Sequence, residues 1–254
     1  MLDYSRYKLG KRPAKHKAKT LKLARYIIPG VLPKAPVARD WLSAVRTAWG
    51  MYDNDTMGDC VVAGVAHMIM WWSANQGNLI VPEPEEVIAL YKKLSPNDDG
   101  LVILDFLDYW RKNPIAGQAI GAYAAVNYRD PVELTLAMDL FGGIASGVAL
   151  PVAAQNQSVW TPTSGWDAAP GTWGGHFLPW GAYQPGLKTC ITWGQEKEAT
   201  DGWVSTYMDE AYALIAPWWL AGGKTPEGID TDTLAKDLSL VTGPHAPAGN
   251  QPES

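Results

Sequence analysis

The sequence predicts an α+β protein with two lobes, and three observations carry that reading. Segments of helical length and helical apolar spacing, several with capping signals, fill the first half of the chain. After residue 143 the texture changes to strand-like runs broken by Gly, Pro and Trp. A run of helices followed by a run of strands gives segregated layers rather than alternating βαβ units. Finally, 254 residues with 47% hydrophobic and 19% charged content describe a soluble globular chain long enough to bury a real core.

The elements follow in order. Residues 1–30 carry nine Lys/Arg, from Arg6 to Arg25, against the single acid Asp3, although the whole chain has a net charge of -5. A basic arm on an acidic body predicts docking of residues 6–25 to nucleic acid or to an acidic partner protein; the alternative is a solvated extension. "YIIPGVLPKAPVARDW" reads as an extended connector, so residues 1–32 form arm and connector and 33–222 the main domain. A helix is predicted from Cys60, with Asp59 as N-cap and Val61, Val62, Val65, Met68, Ile69 and Trp72 at helical spacing. Further helices are expected over Pro84–Leu94, Ile103–Asn113 and Asp130–Gly142. "GIASGVALP" is a β-like run, "HFLPWGAYQ" and "LKTCITWGQ" pair around a turn at Pro185-Gly186, and "GWVSTYM" reads as another strand. Residues 223–254 form a C-terminal extension whose end, 243–254, lacks core-forming content and is expected to be disordered.

Several function classes lose support. No apolar core follows "MLDYSRYKLGKRPAK", so no signal peptide is read. "LFGGIASGVALPVAA" is too short and too broken to span a bilayer, so no membrane association is expected. Cys60 and Cys190 make no disulfide framework. Together these predict the cytoplasm, or a phage particle assembled there. No zinc signature and no phosphate-binding loop is present, so no cofactor is expected. "NDDG" (Asn97–Gly100) and "DTD" (Asp230–Asp232) read as turns or caps rather than calcium loops.

"YDNDTMGDCVVAGVAHMIMWW" places Cys60 at a predicted helix start. A cysteine attacks as its thiolate, which a helix N-terminus and a nearby imidazolium both stabilise. Four histidines are candidates for the second group. His16 lies in the arm and His245 in the tail. His67 is seven residues along the same helix, about 10 Å of rise away, and is expected to be a packed helix residue. His176 remains, behind a double glycine at the start of a predicted strand. The alternative, a buried packing cysteine, stays open at this level, because spacing proves no contact.

Over about residues 33–220, segments in order resemble a papain-like cysteine peptidase: "PVARDWLSAV", "NDTMGDCVVAGVAH", "VILDFLDYWRKNPIAG", "GGHFLPWGAYQPGLKTCITWGQ" and "GWVSTYMDEAYALI". The Gly-Asp-Cys and Gly-Gly-His segments resemble those of bacterial and phage members. The resemblance implies a two-lobed papain-like fold: a helical lobe whose central helix opens at the cysteine, and an antiparallel β lobe. It implies Cys60 as nucleophile, His176 as base and acid, and the Cys60 N–H as one oxyanion donor. Asn54, an amide six residues before the cysteine, stands where the family has its second donor. The family's orienting Asn has no counterpart here. Matching on Trp193-Gly194 puts Ile191 in its place; matching on the distance from His176 puts Thr192, whose hydroxyl can bond the imidazole. Trp193 would shield the pair from water. Asp59 stands where the family commonly has Ser, where it would cap the helix but oppose thiolate formation.

The implied activity is hydrolysis of a peptide or isopeptide bond in a peptide or protein substrate through an acyl-enzyme on Cys60. The rival is a catalytically silent papain-fold binding or structural protein, for example a phage virion component anchored by the arm in a larger assembly. Propeptides of the family are longer and fold as their own helical units, so this arm is expected to dock rather than inhibit. Trp160, Trp166 and Trp173 precede His176 in a loop that would wall the cleft or, more in keeping with aromatic side chains, fill space. Trp71-Trp72, Trp218-Trp219 and Cys190 are expected in the core or at the lobe interface.

Overall fold

The computed structural model describes residues 4–15, 17, 20–26 and 34–216. Residues 27–33 of the predicted connector, the C-terminal extension, His16, His245 and Trp218-Trp219 lie outside the described residues.

Helix α1 (Cys60–Asn75) forms where predicted, and every residue from Cys60 to Ser73 is buried. That is why it is apolar on all sides rather than amphipathic. In α2 (Pro84–Leu94), Glu85 and Glu86 in the first turn and Lys92 and Lys93 in the last complement the helix dipole. Helix α3 (Ile103–Trp110) ends before the predicted Asn113. Asp130 caps α4 (Pro131–Leu140), accepting from the Val132 and Glu133 amides.

Among the described residues one antiparallel sheet has seven strands. They are β1 (Arg39–Asp40), β2 (Ala122–Ala125), β3 (Ile144–Leu150), β4 (Gly174–Gln184), β5 (Leu187–Thr192), β6 (Gln195–Thr200) and β7 (Met208–Ile215). The order is β2-β7-β3-β4-β5-β6, with β1 paired to β4. "GWVSTYM" is not the expected strand. Thr200 Oγ1 caps the Trp203 amide and starts helix α5 (Asp201–Tyr207), and the strand follows as β7.

Two cores result. One gathers Val61, Met68, Trp72, Phe106 and Trp110 around the helices. The other gathers Ile144, Val148, Leu178, Cys190 and Trp203 behind the sheet. Strand β4 divides them: Phe177 belongs to the first and Leu178 to the second, because successive strand side chains face opposite ways. Helix α1 lies directly on this strand. A β-carbon at Gly64 would fall 2.4 Å from the Phe177 ring, so only glycine permits the approach. Trp71 and Trp72 tie the far end of the helix down, their indole N–H groups donating to Gly142 O at 2.7 and 2.8 Å.

The arm is a structured part of the molecule. Tyr4, Leu21, Leu23 and Tyr26 enter the core behind the sheet. The Ala125 amide donates to Leu21 O (2.7 Å), adding the arm to the edge at β2. Lys15 and Lys17 pair with Asp105 and Asp108 of α3. Several of the charges expected to reach nucleic acid or an acidic partner are thus met by the chain's own carboxylates. No helix among the described residues is long and apolar enough to cross a membrane.

Replacing Gly64 by Ala sets two effects against each other. Helix propensity favours Ala by about 1 kcal/mol, while overpacking a close contact costs about 1–3 kcal/mol. Because the clash is with a buried aromatic ring, overpacking should win: Gly64→Ala is expected to lose about 1 kcal/mol, read from the urea midpoint at unchanged m-value. A midpoint at or above wild type would refute the tight seam.

Candidate active site

The Cys60 sulfur, at the start of α1, lies against the main chain of β4 next to His176. The backbone amide of Phe177, the residue after the histidine, reaches the Cys60 sulfur, as does that of Gly10 from the arm. His176 opposes Val148 on β3. Strands β4 and β5 are antiparallel with Trp180 opposite Cys190, which brings the start of β4 beside the end of β5. Thr192 there lies 2.7 Å from His176 Nε2 through its Oγ1, and His176 Nδ1, fully buried, has no hydrogen-bond partner. The structure thus chooses Thr192 over Ile191 as the residue against the imidazole; Ile191 packs in the core around the helices.

Trp193 stacks on His176, with ring centroids 4.5 Å apart and planes 19° apart. It occupies a left-handed backbone position (φ 49°) in a turn with Gly194 (φ 68°). That conformation is unfavourable for a bulky side chain and is held here by the β5–β6 hairpin and by the rings around it. Trp173 stacks on its far side at 5.5 Å. Trp160 is a core residue stacked on Trp203 at 4.6 Å, and Trp166 is exposed. Of the three loop tryptophans, Trp160 fills space and Trp173 backs the indole that covers the histidine.

The region ahead of the helix differs from expectation. Asp59 holds the N-cap position, but its side chain makes no cap bond. It turns to Asn54, whose Nδ2 donates to Asp59 Oδ1 at 2.8 Å. The carboxyl is wholly buried rather than part of a cleft wall, and Oδ2 has no partner. Burial pushes its pKa up to about 8, against the opposing pull of the Asn54 bond. Burial thus favours the neutral acid, while the charge of Asp59 when ionised is among the groups that raise the Cys60 thiol, as its position beside the cysteine predicts. The Asn54 amide expected to face an oxyanion is already engaged through one hydrogen. His67 is the packed helix residue expected, with Nε2 2.7 Å from Gly50 O. Cys190 is buried in β5.

The decisive feature was not legible beforehand: the arm runs through the cleft. Lys8 N–H donates to Asp55 O (3.0 Å), Lys11 N–H to Gly175 O (3.1 Å) and Arg12 N–H to Leu101 O (2.9 Å), while Gly10 O accepts from Leu101 N–H (2.7 Å). Lys8 also pairs with Asp98, which accepts from the Gly58 amide and the Tyr91 hydroxyl. Gly10 sits so close that a β-carbon on it would lie 1.7 Å from Gly58 O. Tyr4 and Tyr7 pack against Trp193 at 5.3 and 5.4 Å. Under this cover Cys60 and His176 are only 1% and 0% exposed. Burial pushes the thiol up to about 12 and the imidazole down to about 3. As it stands, the pair is a neutral thiol beside a neutral imidazole, not the activated thiolate expected from the helix start.

No protein-family model matches the sequence, and no curated protein matches it. Solved structures do. The chain superposes on xylellain, a cysteine protease from Xylella fastidiosa, with a TM-score of 0.64 at 12% identity, over 83% of this chain and 96% of that one. Digestive procathepsin L 3 of Tenebrio molitor larval midgut gives 0.55 at 12% identity over 84% and 77%. The ragweed cysteine protease Amb a 11, in its proform, gives 0.53 at 17% over 72% and 67%. The two-lobed α+β architecture of this chain is the papain-like fold.

The buried acid gives a pH signature. Asp59 is protonated in the folded state up to about pH 8 and ionised in the unfolded chain above about pH 4. Between those values the folded state binds more protons, so this group makes stability fall as pH rises. Asp59→Asn keeps an acceptor for Asn54 and removes the effect. The variant should gain Tm over wild type at pH 8, by about 2–4 °C per kcal/mol, and the gain should vanish near pH 4. A difference independent of pH would show that Asp59 is ionised in the fold.

Proposed function

We propose that the chain is a thiol hydrolase of papain-like fold that cleaves a peptide or isopeptide bond through an acyl-enzyme on Cys60, and that its own arm holds it latent. The observation supporting this most is the joint placement of the Cys60 sulfur at the Phe177 amide and of a His176 with Nε2 on Thr192 and Nδ1 free. Two of the structurally similar proteins are themselves proforms. The arm's passage between Cys60 and solvent fits the same logic, in place of the purely docking role its short length suggested.

With the arm lifted, water reaches the pair and burial no longer favours the neutral forms. The helix N-terminus and an imidazolium then stabilise the thiolate. His176 takes the thiol proton and sulfur bonds to the substrate carbonyl carbon. The Cys60 N–H and the second amide hydrogen of Asn54 receive the oxyanion. The C–N bond breaks as His176 passes its proton to the leaving amine. Water then gives a proton to His176 and its oxygen attacks the thioester. The C–S bond breaks and the thiolate recovers the proton. Thr192 holds the ring by a hydroxyl where an amide would hold it more firmly, and Asp59 raises the thiol; these two features favour a silent papain-fold protein.

The test uses full-length chains carrying Cys190→Ser. Gly10→Val forces a side chain into a position with no room and should lift the arm. Alkylation of Cys60 by iodoacetamide at pH 6 should then rise about tenfold or more, and hydrolysis of a peptide library should appear. Adding His176→Ala should lower hydrolysis by at least about 10²-fold. A thiol that titrates near pH 8.5 in Gly10→Val, with or without His176, would sink the enzyme and leave the silent module.

A further inference from the structure

Among the described Lys and Arg residues of the arm, Lys11 is the one that is buried. Its side chain is 2% exposed, and its ammonium lies 2.6 Å from Asp209 Oδ2 and 3.2 Å from Glu210 Oε1. Two neighbouring strand residues ordinarily point to opposite faces of a sheet. Here the β3–β7 register shifts, with Gly147 opposite Glu210 and Val148 opposite Met208, so Asp209 is the extra residue of a bulge. A bulge re-aims a side chain, and this one brings both carboxylates to the same point. Tyr212 donates its hydroxyl to Glu210 Oε2 at 2.8 Å and fixes that carboxylate.

The path to the acids is cleared by residues of the body. A β-carbon at Gly147, in the middle of β3, would fall 2.3 Å from Lys11 Cε. One at Gly175 would fall 2.3 Å from Lys11 O, and one at Gly100 would fall 2.0 Å from Gly10 O. Glycine inside a strand weakens it and marks a place where another chain comes close. The sheet thus gives up two side chains and a loop of the helical lobe one, to admit one backbone and one long cationic stem. The channel begins one residue from the position whose amide meets the Cys60 sulfur. It is an acid-ended, glycine-walled socket beside the reactive pair, with a lysine in it.

We propose that the Asp209–Glu210 socket is a recognition subsite for the lysine or arginine side chain of a substrate peptide, within one or two residues of the scissile bond, and that Lys11 is its resident occupant. This rests on the hydrolase reading above. It makes the arm a competitor for the same socket rather than only a cover.

The experiment measures binding before cleavage. Full-length Gly10→Val/Lys11→Ala and Gly10→Val/Lys11→Ser both lift the strap and vacate the socket, so the test does not hang on one variant folding. N-acetyl-Gly-Lys-amide is compared by calorimetry with N-acetyl-Gly-norleucine-amide, which has the same stem without the charge. The lysine peptide should bind about tenfold tighter or more, and adding Asp209→Asn/Glu210→Gln should abolish the difference. Equal affinities, or a preference that survives loss of the acids, overturn the proposal. A peptide library then separates the two readings. Selective binding of the lysine peptide without cleavage of any peptide keeps the socket and removes the hydrolase. Cleavage with no preference for basic residues keeps the hydrolase and removes the socket.

Discussion

Everything at this site depends on the closeness of α1 to β4. Gly64 lets the Phe177 ring lie against the helix backbone, and the helix begins at Cys60, one turn earlier. Phe177 follows His176, so the contact that closes the interior also sets the sulfur beside the histidine's main chain. The imidazole beside it is bonded by Thr192 and covered by Trp193. The left-handed backbone of Trp193 is tolerable because the stacked rings on both sides of it leave the indole nowhere else to go.

The chemical state of the pair is a contest between the helix N-terminus and desolvation. A helix N-terminus favours an anion by about 0.3–1 kcal/mol, and by up to about 2 in partly buried settings. Raising the thiol from 9.0 to about 12 by burial disfavours the thiolate by about 4 kcal/mol. Desolvation wins while the arm is down. Asp59 obeys the same rule: burial favours its neutral form, and its charge when ionised raises the neighbouring thiol.

Much of this was legible in the sequence. Helix α1 announced itself by apolar spacing, and the β4–β5 hairpin by alternation around Pro185-Gly186. Elimination among four histidines left His176 as the candidate for Cys60, and Thr192, one of two candidates for the imidazole's partner, is the one that bonds it. Other features were hidden for physical reasons. "GWVSTYM" has strand-like residues, yet a Thr200 side-chain cap decides for helix. Asp59 is a good N-cap by type, but a buried amide competes for its oxygen. The nine basic residues of the arm look alike in sequence, and only tertiary structure shows that Lys11 goes inward. The one local hint was Gly147 in "IASGVAL", a glycine without a turn to explain it.

The strap is fastened at both ends and grips in the middle. Tyr4 packs with the sheet's core, Leu21, Leu23 and Tyr26 return to that lobe, and between them Gly10, Arg12 and Lys15 hold to the helical side through Leu101 and Asp105 while Lys11 holds to β4 and β7. Such a segment can rise as a loop while its anchors stay in place. Its local concentration over the cleft then remains that of a short tether, on the order of millimolar. Any peptide that enters must outbid that intramolecular rival, and when the peptide leaves, the loop falls back. Latency of this kind is reversible by competition: abundance of substrate, rather than loss of a segment, would set the fraction of molecules that are open.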